Sequence, residues 1–235
     1  MLKFRTPDKV YFKKGCLPVA LRELKEVYSK KNVLILVDDL LADALFAQQI
    51  ADRLHEMQIN YAISEYHTEW TLLPDCIIAY GSDADLESIA KQISALLEKP
   101  YYITIPAYLG NYRHVMPLPD GNYPDMTIVE PDMMRKNPEV VKMALARALD
   151  ALASENATDY SDSLAIRAVL ILLNAEIRSA EQLANAGTLA GFAFENAKAE
   201  KDGHSGKESV CAEKLGISTK SLLKGIEAIV DKFNF

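Results

Sequence analysis

The feature that most constrains the fold is a continuous aliphatic run in the first fifth of the chain. Residues 33–37 read VLILV, and Asp38 and Asp39 close the run. Strands buried on both faces of a parallel sheet have this composition, because helices cover both faces and no position faces water. The sequence therefore predicts an α/β architecture built on a parallel sheet.

Further apolar runs alternate with helical patterns over the first 130 or so residues. They predict strands at 61–66, 76–80, 101–106 and 126–129, covered by helices at 42–57 and 85–98. From Asn137 onward only helical patterns follow, beginning with Pro138 at a first helical position and ending with amphipathic residues 221–233. We expect a reduced, Rossmann-like α/β domain over residues 1–130 and an all-helical domain over 131–235.

One connection is short for such a fold. Only residues 67–75 separate the predicted strands that end at Tyr66 and begin at Cys76, whereas a parallel crossover normally needs a dozen residues or more. Either these strands are an antiparallel pair, or the segment crosses a sheet edge with Trp70 and Leu72 covering exposed core.

Composition excludes several classes of function. The net charge of -7 is spread over interleaved Lys and Glu, so no basic patch for nucleic acid or an anionic membrane is visible. The sequence contains neither a signal-peptide core nor the roughly 20 apolar residues that span a bilayer. Its 3 cysteines are far apart, as in proteins of a reducing compartment. We expect a cytoplasmic protein that binds neither nucleic acid nor membrane.

Several segments resemble the iron-dependent alcohol dehydrogenase family in colinear order. FRTPDKVYFKKGCLP (4–18) is close to the opening of the alcohol dehydrogenase half of bifunctional aldehyde-alcohol dehydrogenases, and the similarity resumes at 74–79, 105–106, 126–134, 157–160 and 183–197. The resemblance implies a dehydroquinate-synthase-like nucleotide-binding domain followed by a helical metal-binding domain. It also implies NAD(P) and iron or zinc as the cofactors of the family, of which this chain looks like a truncated and degenerate member.

The first cofactor element of the family is altered in this chain. Relatives place a Gly-Gly-Gly-Ser turn after a strand, where bare N–H groups at a helix N-terminus hold the cofactor pyrophosphate. Here the segment 80–85 reads YGSDAD, and only Gly81 is kept. Asp83 and Asp85 would place negative charge where the pyrophosphate must lie. The same residues also suit an ordinary capped helix.

The second cofactor element is altered as well. A hydroxyl-rich loop of relatives is replaced by AYLGNYRH (107–114), which keeps Gly110. Its aromatic and basic residues either form a new polar site or are plain surface. Asp38 matches the family acid that faces the adenosine ribose, or else is a turn residue. The resemblance thus leaves Asp38, Gly81 and Gly110 as vestigial cofactor-binding residues.

The resemblance implies that the metal site has lost even more of the family's residues than the two cofactor elements have. Asp150 stands at the first ligand position, but Ser154 stands where relatives carry a His, and Glu213 replaces a later His. Relatives also continue well beyond Gly216. The four histidines of the chain show no i, i+4 spacing and no acidic companion at ligand spacing. They are His55, His67, His114 and His204. We therefore expect no bound metal, with Asp150 a vestigial ligand that is insufficient alone.

Three functions remain open, and no catalytic residue is assigned. The first is a non-catalytic family member, a pseudoenzyme, with a binding or assembly role. The second is an NAD(P)-dependent oxidoreductase that acts on alcohols or aldehydes through an unrecognised site. The third is a small-molecule or nucleotide sensor that uses the remodelled loop 108–114. We expect a homodimer, or association with an active relative, because the helical part would otherwise leave apolar faces uncovered.

Overall fold

The chain folds into two compact units. The computed structural model describes residues 5–39, 43–66, 73–174 and 179–233 of the 235-residue chain. The sheet unit consists of Pro7–Ala107 and Arg113–Met134, and the helical unit consists of Met1–Thr6, Tyr108–Tyr112 and Arg135–Phe235. The short segment 108–112 thus belongs with the helices, although a strand directly precedes it. The division into domains at 1–130 and 131–235 stays a prediction.

Six parallel strands lie within the described part of the sheet unit. They are β1 (Lys9–Phe12), β2 (Asn32–Val37), β3 (Asn60–Glu65), β4 (Cys76–Gly81), β5 (Tyr101–Pro106) and β6 (Met126–Val129). Their order across the sheet is β1-β6-β5-β4-β2-β3, and every neighbouring pair is parallel. The aliphatic residues of β2 are at most 2% exposed. This burial on both faces confirms the predicted α/β fold.

Three α-helices lie within the described part of the sheet unit. They are α1 (Leu17–Glu26), α2 (Ala44–Glu56) and α3 (Asp83–Ser94). Helix α2 buries Ala47, Ile50 and Leu54, which recur at the spacing of one helix face. The sequence reading found α2 and α3 within a few residues of their ends but missed β1 and α1. Strand β1 has only 4 half-buried residues, too few for a clear alternating pattern.

The short connection between β3 and β4 joins strands that are not neighbours. Both strands pair with β2, one on each side, and both pairings are parallel. The antiparallel alternative is therefore wrong, because β2 lies between the two strands. Residues 67–72, which include Trp70 and Leu72, lie outside the described residues.

The helical unit contains α4 (Pro138–Ala153), α5 (Asp159–Leu173), α6 (Ala180–Asn196), α7 (Glu208–Leu215) and α8 (Thr219–Phe233). Asn137 caps α4 as predicted, and its side chain accepts a hydrogen bond from the Glu139 N–H. A reciprocal pair of hydrogen bonds between Thr158 and Ser161 caps α5. None of the described helices is long and apolar enough to cross a membrane.

Candidate functional site

The turn between β4 and α3 is closed by its own side chains. The Ser82 hydroxyl accepts a hydrogen bond from the Asp85 N–H, and the Asp85 carboxylate accepts one from the Ser82 N–H at 2.6 Å. Asp83 accepts a further bond from the Arg113 N–H at 3.3 Å. Protein carboxylates therefore occupy the helix N-terminus at which, by the family resemblance, a pyrophosphate would bind.

Gly81 has a structural reason to be glycine in this turn. A Cβ atom at this position would lie 2.7 Å from the Asp85 Cβ, which is well inside van der Waals contact. The missing side chain makes room for Asp85, and Asp85 in turn completes the helix cap. The kept glycine thus serves the cap that fills the turn.

Asp38 lies at the end of β2, beside the same turn. Partial burial raises the pKa of the Asp38 carboxyl above its ordinary value, and the negative charges of Asp85 and Asp43 add to this rise. The pKa of the nearby Tyr66 hydroxyl is also raised, by burial and by the charges of Asp85 and Asp38. The structure thus brings Asp38 and Gly81 together at the ends of the neighbouring strands β2 and β4, beside the Asp85 carboxylate.

Gly110 lies in the helical unit and has a left-handed backbone with φ +86°. A Cβ atom there would lie 3.1 Å from the Cα atom of Val141 in α4. Its neighbour Leu109 donates a backbone hydrogen bond to the Arg135 carbonyl, and the Arg135 guanidinium lies over the Tyr108 ring at 4.8 Å. Segment 108–112 is therefore packed against its own unit through backbone and ring contacts.

The loop 107–114 is less exposed than plain surface would be. Tyr112 is 6% exposed and His114 is fully buried. The His114 carbonyl accepts hydrogen bonds from the hydroxyls of Thr104 and Thr127, both at 2.8 Å. The reading of these residues as ordinary exposed surface is therefore wrong for Tyr112 and His114.

Asp150 is the centre of a polar cluster in the helical unit. Its side chain is fully buried in α4. One carboxylate oxygen accepts hydrogen bonds from Arg147 at 2.5 Å and from the Asp202 N–H at 3.2 Å. The other oxygen is bonded to the His204 N–H at 3.1 Å and lies 2.6 Å from the His204 Nδ1. Both oxygens are therefore committed to groups of the chain itself.

Arg147 supplies a fixed positive charge to this cluster. Its side chain is only 10% exposed, and its guanidinium also lies 3.7 Å from the Asp202 carboxylate. The rings of Tyr112 and Phe194 lie at 5.9 and 5.5 Å from the guanidinium carbon. Contacts of this kind immobilise an arginine through its flat faces as well as its edges. The sequence reading missed Arg147, although its spacing of three residues from Asp150 was a usable signal.

His204 is the second residue whose role the sequence did not show. Its ring contacts Asp150 across 54 positions of sequence, although no acidic residue stands at ligand spacing from it. The hydrogen bond to Asp150 raises the pKa of the imidazole, while partial burial and the Arg147 charge oppose that rise. No local pattern predicts a contact of such long range.

The residues around Asp150 do not fit the metal ion of the family. Ser154 lies just beyond the end of α4, and its hydroxyl donates to the Ala197 carbonyl at 2.8 Å. Glu213 is exposed. Over the described ranges, no three or more His, Cys, Asp and Glu side chains converge as a metal site would require. Asp150 itself faces a guanidinium, which opposes a second cation at the same carboxylate.

Comparison with known proteins connects this fold to one enzyme family. No family model matches the chain. The chain is 26% identical to the aldehyde-alcohol dehydrogenase of Clostridium acetobutylicum over 269 residues, which cover 84% of this chain and 31% of that protein. It is 25% identical to the 1-propanol dehydrogenase PduQ of Citrobacter freundii, over 84% of this chain and 64% of that protein. The chain thus spans less than a third of the first relative.

Solved structures show the same fold at lower identity. A 1,3-propanediol oxidoreductase matches with a TM-score of 0.74 and 19% identity, and the match covers 99% of this chain and 86% of the oxidoreductase chain. The iron-containing alcohol dehydrogenase of Thermococcus thioreducens has a TM-score of 0.74 and 16% identity, covering 98% and 86%.

Together these matches bear on two predictions. The structural matches confirm the predicted nucleotide-binding-like α/β fold followed by a helical part. The sequence matches confirm the resemblance to the iron-dependent alcohol dehydrogenases. The first alignment runs over more residues than the 235 of the whole chain, so parts of that relative have no counterpart here.

Proposed function

We propose that this chain is a non-catalytic relative of the iron-dependent alcohol dehydrogenases, retained for binding or assembly. The observation that carries the proposal is the state of Asp150, the position that corresponds to a metal ligand of the family by resemblance. Its two carboxylate oxygens are engaged by Arg147, by the His204 ring and by two backbone N–H groups. A buried carboxylate with these partners has no need of an ion.

The same reasoning applies to alcohol chemistry. Oxidation of an alcohol requires its proton to be removed or its oxygen to be polarised, and the family assigns the second task to a metal ion. In this chain, Ser154 and Glu213 replace two ligands by resemblance, and Asp150 is paired with Arg147. The donor set that would hold the ion is therefore replaced rather than merely rearranged.

The nicotinamide cofactor meets a comparable obstacle at the start of α3. The N–H group of Ser82 donates to Asp85, and Asp83 and Asp85 place two carboxylates at the helix N-terminus. A pyrophosphate would have to displace one carboxylate and approach the other. We expect NAD(H) binding no tighter than roughly the millimolar range, about -4 kcal/mol.

The assembly role completes the proposal. Several apolar or aromatic side chains of α5, α7 and α8 are 41–50% exposed, namely Tyr160, Leu170, Val210 and Leu223. Burial of such side chains in an interface is favourable by roughly 25 cal/mol per Å² of apolar surface. We propose that the chain forms a homodimer or associates with an active relative.

The main alternative is an NAD(P)-dependent oxidoreductase. The names of the relatives, 1-propanol dehydrogenase and 1,3-propanediol oxidoreductase, favour alcohols or aldehydes as its substrate class. A sensor that uses residues 108–114 also stays a hypothesis, although Tyr112 and His114 are buried in the structure.

Turnover measurements separate the proposal from this alternative. Purified protein is assayed for oxidation of short alcohols and diols and for reduction of the matching aldehydes, with NAD(H) or NADP(H) and with added iron or zinc. The matched control is Asp150→Asn, which keeps the shape of the side chain and removes its charge. The proposal predicts no difference between the two proteins above background. Turnover by the wild type above background would overturn it.

A further inference from the structure

The Asp150 cluster also has a structural consequence that concerns stability. A buried carboxylate is costly unless a positive charge and hydrogen bonds compensate for the water that it has lost. The Asp150 side chain is fully buried, and Arg147 lies three residues before it on the same helix at 2.5 Å. The compensating cation is therefore built into the helix that carries the acid.

We propose that Arg147 takes the place of a metal ion as the cation that neutralises Asp150, and that Asp150 in turn fastens the loop 198–207 to α4. The loop contributes the N–H groups of Asp202 and His204 and the ring of His204. Lys207 adds a bond from its ammonium to the Ala153 carbonyl at 3.4 Å, at the C-terminal end of α4. We call this set of contacts the Asp150 clasp.

The backbone of the loop shows that it needs such an anchor. Lys198 has φ +47° and Asp202 has φ +60°, in the left-handed region that side-chain-bearing residues avoid. Each such residue is unfavourable in isolation and persists only where surrounding contacts hold it. The Asp202 side chain is 81% exposed, so packing of that side chain does not supply the restraint. The bond from its N–H group to Asp150 and the ion pair of its carboxylate with Arg147 supply it.

The clasp reaches one element further along the chain. Helix α7 starts directly after the loop, and the Cys211 thiol donates to the Leu149 carbonyl of α4 at 3.5 Å. The thiol is buried. Asp150 thus fixes the path of the chain between α6 and α7, which is the kind of crosslink that a structural metal ion provides in other proteins.

A mutant cycle tests the charge compensation. Arg147→Met and Asp150→Asn are each expected to lower the unfolding midpoint by roughly 10 °C, the shift that breaking a buried ion pair causes in a chain of this size. The decrease of the unfolding midpoint in the double variant should be clearly smaller than the sum of the two single decreases, because the double variant leaves no buried charge without its partner. The matched control is Arg53→Met, which breaks an exposed pair of the same spacing with Glu56 and should leave the midpoint unchanged. Additive losses would overturn the proposal.

Two further readouts do not depend on the charge variants folding well. In the wild type, excess zinc and excess chelator should both leave the unfolding midpoint unchanged. A rise with zinc that chelator reverses would show that a metal ion, not Arg147, completes the site. In His204→Gln, hydrogen exchange of the backbone amides at positions 202 and 204 should accelerate roughly tenfold as the loop loosens. The Asn122 amide, which donates to the Asp120 carboxylate outside this loop, is the internal control. Unchanged exchange at positions 202 and 204 would refute the anchoring role.

These readouts concern stability and loop protection rather than turnover. An active enzyme would therefore overturn the proposed function and leave the clasp intact, whereas additive mutant losses would overturn the clasp alone.

Discussion

The replacement of Gly187 by alanine tests the packing of α6 most sharply. A Cβ atom at this position would lie 2.3 Å from the Asn111 carbonyl oxygen and 2.5 Å from the Gly110 carbonyl carbon. Both atoms belong to the backbone, so no side-chain rotation relieves the contact. The segment 110–111 would have to move by about 1 Å to restore ordinary van der Waals separation.

The magnitude follows from two opposing effects. Overpacking of a well-packed interior typically costs about 1–3 kcal/mol, and a backbone clash lies at or beyond the upper end of that range. The higher helix propensity of alanine returns about 1 kcal/mol. We therefore expect Gly187→Ala to lower the free energy of unfolding by at least about 2 kcal/mol.

The control is the helical glycine Gly225. A Cβ atom there would meet the end of the Leu173 side chain at 3.0 Å, and that side chain can rotate away. The gain in helix propensity then offsets the small clash, so Gly225→Ala should change stability by less than about 1 kcal/mol. Both variants are compared with the wild type by urea unfolding. Equal stability of Gly187→Ala and Gly225→Ala would refute the close packing of α6 on segment 110–111.

Three other predictions test the cap, the histidine and the assembly. Ser82→Ala should cost about 1 kcal/mol in urea unfolding through loss of the α3 cap, and a loss no larger than that of the exposed Ser163→Ala would contradict it. Since Asp150 raises the pKa of His204, the stability from this bond is complete below the ordinary value of about 6.5 and is lost as the pH rises through the raised value. Unfolding of His204→Gln should lack this decline, and an identical pH dependence would refute it. Light scattering at micromolar concentration should show a dimer, whereas a clean monomer counts against homodimers.

Much of the fold follows from local sequence. The run 33–37 predicts a doubly buried strand, and Asn137 with Pro138 marks the beginning of α4, because strand burial and helix capping depend on a few adjacent residues. Strand β1 and helix α7 escaped prediction because they are short. Helix α1 was missed although Leu17, Ala20, Leu21 and Leu24 recur at the spacing of one helix face. Propensity alone does not identify such elements without their tertiary contacts.

The candidate site was predictable only in part. Asp150 was identified from its place in a family pattern, but its partners were not. His204 reaches Asp150 across 54 residues, and Asp202 reaches it through a backbone N–H that no sequence pattern encodes. Arg147 could have been predicted as a partner of Asp150, because residues three apart lie on the same helix face. Long-range contacts of this kind depend on how the loop folds back on α4.

The central claim is that protein groups now fill the positions at which relatives hold their cofactor and metal. The most direct test is a fluorescence titration of the wild-type chain with NADH, alongside the double variant Ser82→Gly with Asp83→Gly. Wild type should show no saturation below roughly millimolar NADH, and the double variant, which removes the Asp83 carboxylate and the Ser82 hydroxyl, should bind more tightly. Saturable binding of NADH by the wild type at roughly micromolar concentration, about -8 kcal/mol, would contradict the claim.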